Sequence, residues 1–138
     1  MNAPILLRAS SVISLLFTTG HVMGGRKSWS PAGETDVLRA MKTVSYHGMG
    51  VDRTYWDFYA AFGHTLTVYM VLQTVLLWQM AAIAKDQPRR VRPLVASILV
   101  ATILSGVIAW KLIFAIPAIF SAVLAVCLIL AYVACGAN

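Results

Sequence analysis

Residues 54–84 read "TYWDFYAAFGHTLTVYMVLQTVLLWQMAAIA", and how that stretch is taken decides the fold. It is apolar for longer than the ~20 residues needed to cross a bilayer core, so one end should protrude or the helix should tilt. Three more apolar runs accompany it. The sequence predicts helices over about 3–23, 53–84, 91–110 and 117–135, in one integral membrane domain spanning 1–138. The expected class is all-α: a four-helix transmembrane bundle with a short amphipathic helix between helices one and two. "GG" at Gly24–Gly25 reads as the stop of the first helix, and Pro117 suits the first turn of the last. Arg8 followed by an apolar stretch is similar to a signal peptide, yet no small-x-small cleavage site follows, so it is taken as a retained span.

Composition agrees. Of 138 residues, 59% are hydrophobic and only 12% charged, and the mean hydropathy is +0.77. A soluble domain carries about 25% charged residues. The net charge of +6 is confined mostly to short segments between apolar runs. No extended basic surface remains to track phosphates, which excludes nucleic acid as a partner. Such placement suits membrane lipids with anionic headgroups, and topology control. Lys85, Arg89, Arg90 and Arg92 fall close together in "KDQPRRVR", a cytoplasmic signal that puts both termini in the cytoplasm, as in a bacterial inner-membrane protein. Cys127 and Cys135 lie about 12 Å apart along a continuous helix, too far for a disulfide.

The loop from Gly25 to Asp52 holds "ETDVLRAMKTV", where Val37, Met41 and Val44 share one face with Leu38 beside them. That spacing predicts a short amphipathic helix on the membrane surface.

Ionisable groups inside a span are expensive and ask for an explanation. On the second long helix His64 lies within roughly 20° of Asp57, and Arg53 within about 40°, at 100° per residue. Tyr55, Tyr59, Phe62, Leu66, Tyr69 and Gln73 fall on the other side. On the first helix Ser10, Ser14, Thr18 and His21 share a side, small hydroxyl groups that let helices approach closely. Laying the two helices antiparallel puts His21 level with Asp57 near the outer mouth. His64 then falls about two turns deeper, near Ser14. His21, Asp57 and His64 are therefore expected to face a common interior, under a lid of Tyr46, His47 and Arg53.

Two readings follow. In the first, the cavity binds a small hydrophobic molecule, and His21, Asp57 and His64 carry acid–base chemistry such as isomerisation, cyclisation or epoxide opening. Trp29, Trp56 and Tyr59 would shape the pocket or stabilise a developing cation, and Ser14 would line it. In the second, Asp57 caps its helix, His64 is a polar clamp, and the chain is an accessory subunit of a homo-oligomer or a larger membrane complex. A proton channel is disfavoured, because no polar path reaches "KDQPRR". No metal or cofactor is expected: CxxCH, HExxH, P-loop and GxGxxG patterns are missing from the sequence.

Through "TTGHVMGGRKSWSP", "MGVDRTYWDFYAAFGHTL" and "VLLWQMA", the first 80 or so residues resemble a group of small bacterial four-helix membrane proteins of uncharacterised function. The resemblance implies the same fold and draws attention to Gly20–His21, Trp29 and "RTYWDFY". A weaker likeness links the chain to helical-bundle membrane isomerases and cyclases acting on sterols or prenylated compounds.

Overall fold

A computed structural model describes residues 2–26 and 33–137. In chain order the elements are α1 (Ala3–Arg26), α2 (Asp36–Thr43), β1 (Ser45–Gly48), β2 (Val51–Thr54), α3 (Tyr55–Ile83), α4 (Pro88–Leu112) and α5 (Ala115–Ala137). The chain is all-α with four helices long and apolar enough to cross a membrane, joined after α1 by a short helix and one small hairpin. Pro88 opens α4, where its missing N–H costs nothing. Gly24–Gly25 does not stop α1, which runs on to Arg26. Neither glycine takes the positive φ of a left-handed cap, so the helix continues through them at the ~1 kcal/mol expense of each glycine.

The chain divides into two compact units, one of Met1–Phe17 with Met70–Asn138 and one of Thr18–Tyr69. In the first, α4 and α5 pack closely as a helical hairpin. Its seam follows spacings of three, four and seven: Val91, Val95, Thr102 and Ala109 are buried on α4, Ser121, Leu124, Leu128, Ala131 and Cys135 on α5. Heptad spacing with small residues is how membrane helices reach close approach. Leu7, Leu77, Met80, Ala81 and Ala84 complete the cluster with Val91, Val95, Leu124 and Leu128.

Hydroxyl groups tie α1 to α3 within this unit. Ser11 Oγ donates to the Thr74 carbonyl at 2.8 Å, and Ser14 Oγ meets Thr74 Oγ1 at 2.8 Å. Ser10 turns back onto the Leu6 carbonyl at 2.9 Å. All three serines are buried, and in a lipid-like surround each hydroxyl has to find such a partner. Phe17 stacks on Phe120 with centroids 5.1 Å apart. Arg8 lies over the Trp78 ring at 3.6 Å and Arg92 over Tyr132 at 4.3 Å, so both guanidinium groups near the helix ends sit on aromatic faces.

Candidate functional site

The residues singled out for chemistry fall mostly in the Thr18–Tyr69 unit, which is built from its turns upward. Thr35 N-caps α2, accepting from the Leu38 amide at 3.2 Å. Leu38 is buried and Met41 half-buried, whereas Val37 and Val44 are exposed. The packed face of α2 is thus rotated from the Val37–Met41–Val44 stripe: the helix is only eight residues long, and Val44 already lies past its end.

The hairpin of β1 and β2 was not foreseen. Ser45 pairs with Thr54, Tyr46 with Arg53, His47 with Asp52 and Gly48 with Val51. That leaves Met49–Gly50 as a two-residue loop with φ of 53° and 82°. Positive φ at both positions is the type I′ turn that matches strand twist. Across the strands His47 Nδ1 and Asp52 Oδ1 are 2.8 Å apart. The Tyr46 ring tilts against Tyr55 at 5.3 Å. Tyr46, His47 and Arg53, expected as a lid, are all exposed here.

Thr54 and Asp57 form a capping box at the start of α3. Asp57 Oδ2 accepts the Thr54 amide at 2.9 Å, and Thr54 Oγ1 accepts the Asp57 amide at 3.1 Å. Both orphan donors of the helix start are satisfied reciprocally. Thr54-x-x-Asp57 is a legible sequence signal, so Thr54 is the partner that a search for catalytic groups passed over. Asp57→Ala is expected to speed hydrogen exchange at the Thr54 amide about fivefold, while Asp57→Asn, which keeps an acceptor, changes it little. Equal exchange in wild type and Asp57→Ala would remove the box.

His21 Nε2 lies 3.3 Å from the Gly63 carbonyl, an oxygen that also accepts from Thr67 Oγ1 at 3.0 Å. His21 is therefore level with Gly63, six residues and about 9 Å along α3 from Asp57. The expected pairing of His21 with Asp57 is off by roughly two turns. Ser14 belongs to the other unit, where it meets Thr74. His64 and Asp57 are exposed. Among the described residues no hydrogen bond joins any two of His21, Asp57 and His64. Trp29 lies outside the described residues.

What α3 packs with instead is a stripe of Gly63, Thr67, Met70, Thr74, Leu77 and Ala81, all buried or half-buried. It lies about 90° from both the polar and the aromatic sides named from sequence. Trp56 and Tyr59 do come together, their rings 5.5 Å apart, with Lys42 Nζ 5.6 Å above Trp56 and 3.5 Å from Glu34 Oε1. Phe58 meets Phe62 edge-on at 5.0 Å. Among the described residues no three of His, Cys, Asp and Glu gather into a metal-ligand set. The unit's chemistry is that of an aromatic surface edged by ion pairs.

Four apolar spans put the chain in the class of integral membrane proteins. It matches no family model, no curated protein and no solved structure.

Proposed function

We propose that the chain is an accessory subunit of a larger membrane protein complex, in which the Thr18–Tyr69 unit offers the surface that a partner covers. The observation that carries this reading is the aromatic stripe on α3. Tyr55, Phe58, Phe62 and Tyr69 lie on one side of the helix and are 53%, 57%, 64% and 63% exposed. α3 has 29 residues, about 43 Å at 1.5 Å per residue, against a hydrocarbon core of ~30 Å. Twenty residues counted from Ile83 reach only to His64. Tyr69 falls inside that length and suits lipid; Tyr55 and Phe58 stand beyond it. A contiguous exposed aromatic patch outside hydrocarbon is the signature of a protein interface. His64, exposed at the edge of that length, finds in a polar partner what acyl chains do not provide.

The test is native mass spectrometry of the chain extracted in mild detergent. Wild type should travel in a discrete complex with other subunits. The Phe58→Ser/Phe62→Ser variant should be released from it while keeping its helical circular dichroism. A chain that travels alone and carries a small-molecule mass would support the competing reading, a hydrophobic-ligand site with His21, Asp57 and His64 in acid–base roles.

A further inference from the structure

One end of the membrane unit carries positive charge with little to balance it. Lys85, Arg89 and Arg90 are exposed, and among the described residues the ion pairs are Arg39–Asp36, Lys42–Glu34 and His47–Asp52, none at this end. Asp86 is the one carboxylate in the turn between α3 and α4. Arg8 and Arg92 are already laid on Trp78 and Tyr132. The first turn of α4 holds Arg89 and Arg90 and no acidic residue.

The same end has two shallow recesses, open to the outside. A recess of about 620 Å³ is lined by Asn2, Ala3, Pro4, Lys85, Asp86 and Pro88, with Ala84 at its floor. A second, of about 310 Å³, shares Asp86 and Pro88 with it and continues to Arg89 and Arg90. Together they make an open cationic trough, of the size that small-molecule groups fill. Ile5, next to Pro4, and Ile83, next to Ala84, are exposed apolar side chains adjoining this lining in the chain.

We propose that this trough seats the phosphate headgroup of one anionic phospholipid, with Lys85, Arg89 and Arg90 as countercharges. Its acyl chains lie along Ile5 and Ile83. Charge complementarity selects the phosphate, and the apolar flanks select a lipid over a free anion. Asp86, shared by the two recesses, repels further negative charge, so a headgroup with a single phosphate fits best.

The test uses the intact chain in a neutral detergent, titrated with phosphatidylglycerol or phosphatidylcholine and read by native mass spectrometry. One phosphatidylglycerol per chain should be retained, at least tenfold more tightly than phosphatidylcholine. Each cation near a lipid surface is worth about fivefold in binding, so Lys85→Gln/Arg89→Gln/Arg90→Gln should weaken retention on the order of a hundredfold. Lys111→Gln, at the other end of α4, should leave it unchanged. Should the triple variant lose its helical circular dichroism, Arg90→Gln alone carries the test with a fivefold loss. Equal retention of the two lipids, or a folded variant that keeps its phosphatidylglycerol, overturns the proposal. Displacement of the lipid by millimolar inorganic phosphate overturns it too, by making the trough a site for a free anion.

Discussion

Replacing Leu128 by alanine is expected to cost about 2–3 kcal/mol of stability, the lower half of the range for burying a cavity in a protein core. Leu128 is fully buried at the centre of the cluster that joins α5 to Leu7, Leu77 and Val95. In a membrane the transfer part of the usual penalty nearly vanishes, because lipid tails are as apolar as leucine. What is left is the cavity and the dispersion contacts its walls lose. The measurement is the midpoint of sodium dodecyl sulfate-induced unfolding in mixed micelles, followed by circular dichroism. Ile129→Ala is the control, one residue along and 46% exposed. It removes an apolar side chain from the lipid-facing side and should shift the midpoint by a small fraction of the Leu128 effect. Equal shifts at the two positions would mean that α5 does not pack through this seam.

That contrast bears on what the sequence could reveal. The four spans were plain in it, because ~20 apolar residues have few other destinations. The Ser10–Ser14–Thr18 stripe was also legible, since buried hydroxyls in a membrane helix mark a close neighbour; all three are buried. The rotation of α3 was not. Reading its polar side as the interior borrows a rule from soluble proteins, turned inside out, and gives weight to Asp57 and His64. The packed stripe is chosen instead by small and hydroxyl side chains, with Thr74 taking both Ser11 and Ser14 of α1. Asp57 is free of that choice because it is exposed in the first turn of α3, where it closes the capping box with Thr54.

The register of α1 against α3 depended on where α1 ends, and the double glycine misled. Each glycine weakens a helix without ending it unless the chain turns left-handed there, and at Gly24 and Gly25 it does not. The hairpin escaped for a related reason. Its loop is Met49–Gly50, and a methionine at φ 53° is outside the asparagine- and glycine-rich pairs that announce a type I′ turn. Flanking Gly48 and Gly50 relieve the crowding around the tip, and the Met49 side chain stands fully exposed. The contact of Tyr46 with Tyr55 follows from that hairpin, which brings the Tyr46 ring back to the start of α3.

The seam between α4 and α5 shows the same size rule at its tightest, and it sets the last expectation. Gly106 faces Ser121: a Cβ added at Gly106 would lie 3.0 Å from Ser121 Cβ and 3.7 Å from its Oγ. Ser121 is buried, and the atom met first is its Cβ, which is fixed to the backbone and has little room to yield. Gly106→Ala should therefore ask for a shift of a few tenths of an ångström between the helices. The gain in helix propensity, up to about 1 kcal/mol, offsets much of that strain. Gly106→Leu has no such balance. Its side chain must displace α5 or leave its rotamer, at about 1–3 kcal/mol, and the separation propagates because the connection between the helices is only two residues long. Spin labels carried on cysteines introduced at the exposed Leu94 and Val133 positions, at the open end of the hairpin and with Cys127 and Cys135 replaced by alanine, report the opening by double electron–electron resonance. Gly106→Leu should widen and broaden that distance distribution, with Gly106→Ala close to wild type. A Gly106→Leu distribution that overlays wild type would mean that α4 and α5 meet through another face, and the buried Thr102 and Ala109 beside Gly106 would lose their explanation as well.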